Sequence, residues 1–171
     1  MRDVGIRALG PEDADACDGI IAGLPYHFAD EQGRRDCAAA VRRDPGLVAT
    51  EGAEVVGFLT YTHRFDEAAE ITWMAVRADR RRRGIGRALI DRLAERLVAE
   101  GRRVLLVLTV SPSDPGAEPD DGYQSTRAFY RSTGFVLGRD LRGRVGRRYG
   151  CPDGACPRHV AGLSGHAKGF S

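Results

Sequence analysis

Hydrophobic and polar positions alternate along several short stretches of the chain, and this period of two predicts β-strands. The stretches comprise residues 4–9, 47–50, 54–63 and 70–76. Turn residues 51–53 separate the second stretch from the third, so these two are predicted to pair as a hairpin. Residues 64–69 are polar at first and are predicted to form a loop before the next strand.

A period of about 3.6 predicts the helices. Gly10 and Pro11 precede the first helix, which is expected to turn four side chains inward, namely Ala14, Cys17, Ile20 and Ile21. A second helix is predicted over Glu31–Arg43, before the turn Asp44-Pro45-Gly46. The clearest helix covers residues 84–100, where an apolar residue recurs every four positions, at Ile85, Leu89, Leu93 and Leu97.

The second half of the chain continues the alternation of strands and helices. Residues 104–110 form an uninterrupted apolar run, which is typical of a strand that is buried on both faces. A helix is predicted over residues 124–133, and Gly134 ends it before a short strand at 135–137. The predicted fold is therefore an α/β layered structure with a mixed central sheet flanked by helices.

Composition limits the classes of function. The formal net charge is only +2, so no overall field points to nucleic acid or to a membrane surface. No apolar run is long enough to span a membrane, the N-terminal residues lack the apolar run of a signal peptide, and the four cysteines are expected to be reduced thiols. We therefore expect a cytoplasmic protein, and a monomer or a homodimer.

Four consecutive arginines, 80–83, are followed directly by Gly84-Ile85-Gly86 and the clearest helix. A helix that starts just after a strand presents free backbone N–H groups and the positive end of its dipole. Glycines allow a diphosphate to approach these groups, and arginines add charge-assisted hydrogen bonds. The spacing fits neither a dinucleotide fingerprint, which needs a glycine at the position of Leu89, nor a P-loop, which needs Lys-Ser or Lys-Thr where Arg87-Ala88 stands. A solvated arginine loop is the alternative.

The string AVRADRRRRGIGRALI resembles the acetyl-CoA motif of the GNAT superfamily of N-acetyltransferases, in which Arg/Gln-x-x-Gly-x-Gly/Ala follows a strand that ends in Val. Here Arg81, Gly84 and Gly86 fill the motif, Val76 ends the strand, and Ala78 replaces a common proline. EAAEITWMAV and STRAFYRSTGFV resemble the family's fourth strand and a later helix. The resemblance covers residues 4–137 and implies a GNAT domain at 1–138.

The resemblance also implies a reaction, a cosubstrate and a set of residues. An amine of a small molecule would attack the thioester of acetyl-CoA directly. Tyr130 would be the general acid and Glu70 the general base, with His63 as a rival base. The acetyl-CoA site would comprise Met74, Ala75, Val76, Arg81, Arg83, Gly84, Ile85, Gly86, Arg87 and Ala88. An acidic loop, 114–121, would attract cationic amines if it folded over the site; as a solvated loop it would not.

Three other functions stay open. A protein N-acetyltransferase would share every one of these features. A non-catalytic acyl-CoA-binding protein would keep the turn at Gly84-Ile85-Gly86, here called the glycine turn, but would not catalyse a reaction. A nucleic-acid-binding protein would use the arginines instead.

The segment 139–171 is rich in arginine and glycine and shows no strand pattern, so strands that would complete the sheet are doubtful there. It is expected to be a disordered basic tail, or the result of a frame shift near Gly138, or a zinc site. The zinc ligands would be Cys151, Cys156, His159 and His166, but their irregular spacing disfavours a metal, and none is predicted.

Overall fold

A computed structural model describes residues 3–25, 28, 31–110, 124–137 and 158–164, in which strands and helices alternate. The strands are β1 (Val4–Ala8), β2 (Gly46–Glu51), β3 (Glu54–Phe65), β4 (Ala68–Val76), β5 (Val104–Val110), β6 (Val136–Leu137) and β7 (Arg158–Ser164). The helices are α1 (Ala14–Ala22), α2 (Glu31–Arg43), α3 (Ile85–Ala99) and α4 (Gln124–Ser132), with short 3-10 turns at Pro11–Asp13 and Ala78–Arg80.

One mixed sheet contains all seven strands in the order β1-β2-β3-β4-β5-β7-β6. Neighbours pair antiparallel except β4 and β5, which run parallel with α3 as their crossover. This architecture confirms the predicted mixed sheet flanked by helices.

Helices cover both faces of the sheet, so the apolar residues form two cores. The first core contains buried side chains of α3 and α4, including Ile85, Leu89, Leu93, Leu97 and Tyr130. The second contains those of α1 and α2, including Ala14, Cys17, Ile20, Ile21 and Cys37. All four residues of α1 that were predicted to face inward are buried. Cys17 and Cys37 are free thiols, and burial raises the pKa of each to about 12.

Strands β4 and β5 pair along only part of their length. The paired register runs from Ala68 opposite Val104 to Ile71 opposite Val107, whereas β4 continues to Val76. Beyond Val107, the other edge of β5 still pairs with β7. A wedge therefore opens between β4 and β5, and backbone groups on this edge of β4 are available to a ligand.

A β-bulge in β4 lies where this wedge begins. Tyr61 of β3 pairs with Ile71, but the preceding Thr60 pairs with Trp73, so Thr72 is an extra residue. The bulge reverses the face of the sheet to which the following side chains point. Ile71 packs in the α3–α4 core, whereas Trp73, two residues later, packs against the α1–α2 core. Met74 then returns to the α3–α4 side.

The structure corrects two expectations about strands. The predicted loop 64–69 is mostly strand, since β3 extends to Phe65 and β4 starts at Ala68. Ala68 and Ala69 pair with β5 and are buried, which the charged residues before them concealed. The expectation that 139–171 contains no strand is also wrong, because β7 pairs with the whole of β5. Pairing between distant segments, rather than local periodicity, produces this strand.

Other expectations for the C-terminal segment are not decided. The domain boundary at residue 138 stays a prediction. His159 belongs to β7, whereas Cys151, Cys156, His166 and the acidic loop 114–121 lie outside the described residues. Within the described part of the chain, no group of three His, Cys, Asp or Glu residues could hold a metal ion. No helix in that part is long and apolar enough to cross a membrane.

Candidate active site

A cavity of about 940 Å³ occupies the wedge between β4 and β5. It is bordered by six residues of β4, the arginine–glycine turn, the start of α3, the end of β5 and one side of α4. Its lining includes Ile85, Phe129 and Tyr130 from the α3–α4 core, and also Leu24, Phe28 and Ala75 from the α1–α2 core. The cavity therefore reaches both faces of the sheet through the opening between the strands.

The glycine turn directs backbone N–H groups into this cavity. Gly84 has φ of +80°, a conformation that residues with a side chain rarely adopt, and it immediately precedes α3. The first bond of the helix joins the N–H of Ala88 to the carbonyl of Gly84 at 2.9 Å. The N–H groups of residues 85–87 therefore have no partner within the helix, and with the helix dipole they favour an anion.

The arginines of the turn have different partners. Arg80 donates from Nε to a carboxylate oxygen of Glu51 at 3.1 Å. Arg81 and Arg82 line the cavity and are exposed, while Nη1 of Arg83 lies 3.9 Å from Glu51. Carboxylates thus engage part of the tetra-arginine, and the remainder faces the cavity as a compact positive site.

Gly86 of α3 lies against the ring of Phe129 of α4. A Cβ atom at this position would meet the ring of Phe129 at 3.0 and 3.3 Å. The glycine therefore does more than expose its own N–H group. It allows the aromatic ring of α4 to form the adjacent wall of the cavity.

Tyr130 lies on the cavity wall but is buried, with an exposed fraction of 7%. Its ring makes edge contacts with Phe129 and Phe135 at centroid distances of 5.2 and 5.4 Å. Burial raises the pKa of its phenol well above the ordinary value. The hydroxyl group therefore stays protonated at neutral pH and can donate a proton.

The two candidate bases lie on opposite faces of the sheet. Glu70 is buried on the α1–α2 side, where Arg64 donates to its two carboxylate oxygens at 2.7 and 3.3 Å. His63 is exposed on the other side, with Nε2 3.3 Å from a carboxylate oxygen of Glu100. Among the described residues that line the cavity, neither base candidate is present.

Most of the predicted acetyl-CoA site converges on the cavity. Its lining includes Met74, Ala75, Val76, Arg81, Gly84, Ile85, Gly86 and Arg87. Arg83 and Ala88 are not part of the described lining, and the N–H of Ala88 already bonds within α3.

The sequence interpretation missed other lining residues. They include Leu24, Phe28, Thr72, Trp73, Arg80, Arg82 and Phe129. Arg80 and Arg82 could have been found from the tetra-arginine itself, whereas Trp73 depends on the bulge, which no local pattern indicates.

The sequence model of the Acetyltransferase (GNAT) family matches residues 16–135 of this chain. This range contains the glycine turn, the wedge and Tyr130. The chain belongs to the GNAT acetyltransferase family. It is accordingly an acetyl-CoA-dependent N-acetyltransferase, with acetyl-CoA as its cosubstrate. Among curated proteins, none matches the sequence.

Solved structures show the same GNAT fold at low sequence identity. A GNAT-family protein from Desulfovibrio desulfuricans has a TM-score of 0.72 and 19% identity, over 95% of this chain and 99% of its own. PaiA N-acetyltransferase from Thermoplasma acidophilum, solved with coenzyme A, has a TM-score of 0.68 and 13% identity, with 95% and 99% covered. Ribosomal-protein-S18-alanine N-acetyltransferase from Escherichia coli has a TM-score of 0.64 and 21% identity, with 99% of each chain covered.

Proposed function

We propose that this acetyltransferase acts on the primary amine of a small molecule. The observation that carries the proposal is the cavity that passes through the sheet, with an anion site at one end and apolar walls at the other. Acetyl-CoA would enter from the α3–α4 side, with its pyrophosphate at residues 84–87 and Arg81. Its pantetheine arm would lie along Met74–Val76, and the acceptor would enter from the α1–α2 side.

The acceptor ammonium first loses a proton to a base, and the reaction then forms one C–N bond and breaks one C–S bond. The neutral amine nitrogen bonds to the carbonyl carbon of the thioester, and the carbon–sulfur bond then breaks. The departing thiolate takes a proton from the hydroxyl of Tyr130, and the second proton that the nitrogen loses after attack restores this hydroxyl. The products are an N-acetyl amine and the free thiol of CoA, so atoms and charges balance.

We propose Glu70 as the base, acting through water. Its support is burial on the acceptor side of the sheet, where Arg64 holds the carboxylate by two hydrogen bonds. Glu70→Gln should reduce kcat at neutral pH about 10²-fold and by less at high pH, where the amine is already neutral. A matched His63→Gln variant should keep its kcat. If the two variants showed the opposite pattern, His63 would be the base instead.

The arginine turn is proposed to serve acetyl-CoA and not nucleic acid. Glu54 and Asp79 both pair with Arg77, and Asp79 also pairs with Arg80, so part of the local positive charge is neutralised. Calorimetry should detect acetyl-CoA binding and no binding of duplex DNA that weakens steeply with salt. We further propose a cytoplasmic location. We also propose that the protein is a monomer or a homodimer, and sedimentation can test this oligomeric state.

A comparison of acceptors tests the proposed function directly. Purified protein and acetyl-CoA are incubated with a panel of small amines, and separately with peptides that carry a free N-terminus or a lysine. Thiol release and the mass of the product are measured. Acetylation of small amines supports the proposal, whereas a strong preference for peptides establishes the protein acetyltransferase alternative. Tight acetyl-CoA binding without any product would indicate a non-catalytic acyl-CoA-binding protein.

A further inference from the structure

We infer that the acceptor is a hydrophobic monoamine whose aromatic ring packs against Phe28 and Trp73. This inference rests on the proposed function and specifies the acceptor class within it. It commits to an arylalkylamine, in which a single amine is carried by an apolar body, and not to a polyamine, a sugar amine or a peptide.

An aromatic pair forms the wall of the cavity on the acceptor side. The rings of Phe28 and Trp73 stack with their centroids 6.0 Å apart and an interplanar angle of 29°. Both side chains line the cavity together with Leu24, a buried residue that follows α1. A further aromatic ring could extend this stack and gain both apolar burial and ring–ring contact.

The bulge in β4 explains why a large aromatic residue stands at this place. Trp73 would face the α3–α4 core, as Ile71 does and on the side of the glycine turn, if residues 71–73 alternated without the bulge. With it, Trp73 lies on the α1–α2 side, against Phe28. The bulge therefore lies where β4 and β5 separate, and it places Trp73 in the aromatic wall.

The charge distribution favours a monoamine over a polyamine. No Asp or Glu is present among the described residues of the cavity lining, whose charged members are Arg80, Arg81, Arg82 and Arg87. The nearby carboxylate of Glu70 is already paired with Arg64. Within the described lining, a second ammonium group would therefore meet only positive charge, while apolar walls favour the neutral form of a single amine, which is the nucleophile.

One polar group beside the aromatic wall can receive this amine. Thr72 lines the cavity, and its hydroxyl lies 2.8 Å from the hydroxyl of Thr60, where either oxygen can donate. When Thr72 donates to Thr60, its lone pairs can accept an N–H from the acceptor. A polar contact at Thr72 next to the apolar rings of Phe28 and Trp73 matches an amine at the end of an aromatic body.

Trp73 is the single tryptophan of the chain, so its fluorescence reports on this site directly. Protein saturated with CoA is titrated with 2-phenylethylamine, and in parallel with 2-cyclohexylethylamine and putrescine. We expect a saturable change in fluorescence with phenylethylamine and none with putrescine. In the thiol-release assay, kcat/KM for phenylethylamine should exceed that for putrescine by roughly tenfold or more, the scale of one well-filled apolar pocket.

Two matched variants test whether a loss of activity comes from the aromatic wall at Phe28 or from the loss of any aromatic ring. Phe28→Leu should lower kcat/KM for phenylethylamine by roughly tenfold, mainly through KM, and should reduce its preference over cyclohexylethylamine. Phe65→Leu changes an exposed aromatic residue outside the cavity lining and should leave both values unchanged. Unaltered acetyl-CoA affinity and melting temperature show that Phe28→Leu is folded; if it is not, Phe28→Tyr, which keeps the ring, replaces it with an expected smaller loss.

The outcomes distinguish this inference from the proposed function. If putrescine or a peptide is acetylated better than phenylethylamine, or if saturating phenylethylamine leaves Trp73 fluorescence unchanged, the inference is wrong. Acetylation of another small amine in that case would leave the proposed function standing. If no acceptor releases thiol, the proposed function fails, and a saturable response of Trp73 to phenylethylamine alone would still support an aromatic-amine site.

Discussion

Glu51 and Arg80 form an ion pair that joins the β2–β3 hairpin to the arginine turn. Nε of Arg80 lies 3.1 Å from one carboxylate oxygen of Glu51, and Nη1 of Arg83 lies 3.9 Å from the other. Glu51 is only 6% exposed, so water weakens the interaction less than at the surface. A residue 29 positions earlier in the chain therefore positions the loop that precedes the glycine turn.

Replacing Glu51 tests whether this contact prepares the acetyl-CoA site. Glu51→Gln keeps the size of the side chain and removes its charge, so Arg80 should leave its place and disturb the turn. We expect the KM for acetyl-CoA to rise about three- to tenfold while kcat changes little. Glu54→Gln, at an exposed residue that pairs with Arg77, serves as the control and should have a smaller effect. An unchanged KM in Glu51→Gln would show that the turn holds its shape without this pair.

A side chain at Gly86 should damage both packing and cofactor binding. Valine would collide with Phe129, so we expect Gly86→Val to lose acetyl-CoA binding in calorimetry and about 1–3 kcal/mol of unfolding free energy. Gly19→Val is the matched control, because it also lies in a helix but has open space around its Cβ position. Normal acetyl-CoA affinity in Gly86→Val would show that the contact between Gly86 and the ring of Phe129 does not shape the site.

The hydroxyl of Tyr130 is predicted to act in catalysis separately from its ring. Tyr130→Phe keeps the contacts with Phe129 and Phe135 but removes the proton donor, so kcat should fall about 10²-fold or more with acetyl-CoA affinity retained. Because burial raises the pKa of Tyr130, the wild-type enzyme should show no alkaline loss of kcat from this group below about pH 10. An unchanged kcat in the Phe variant, with chemistry rate-limiting, would leave Tyr130 with a packing role only.

Asp13 should make folding sensitive to acid. Hydrogen bonds from Arg7, at 2.6 and 2.7 Å, lower the pKa of Asp13; burial opposes this, and the N–H of Gly10 assists. Because the pKa is lower in the folded state, the stabilisation is present above about pH 4 and is lost as pH falls through the folded value. Asp13→Asn should reduce the unfolding free energy at neutral pH by about 1–3 kcal/mol and flatten its decline in acid.

Denaturant titrations between pH 7 and pH 3 measure both effects. Glu95→Gln removes one partner of an exposed ion pair with Arg92 and should have almost no effect. Equal losses in the two variants would contradict a special role for the Asp13 pair.

The sequence alone determined those parts of the protein that depend on neighbouring residues. The apolar residues at every fourth position of α3 are all buried, as their period predicted, because one face of a helix must be covered. The glycine turn was also recognisable, since a left-handed residue before a helix favours glycine and the N–H groups that we propose to bind the pyrophosphate come from adjacent residues. Tyr130 was identified by resemblance, and its burial is a consequence of an amphipathic helix.

Only the tertiary structure decided the contacts between distant segments. The bulge at Thr72 depends on the register of β3 against β4, and it places Trp73 beside Phe28. The partial pairing of β4 with β5 creates the cavity, and β7 forms because the edge of β5 requires hydrogen-bond partners. The partners of Arg80 and Glu70 likewise come from other strands. A local pattern carries no information about register, so these features follow from the packing of the whole sheet.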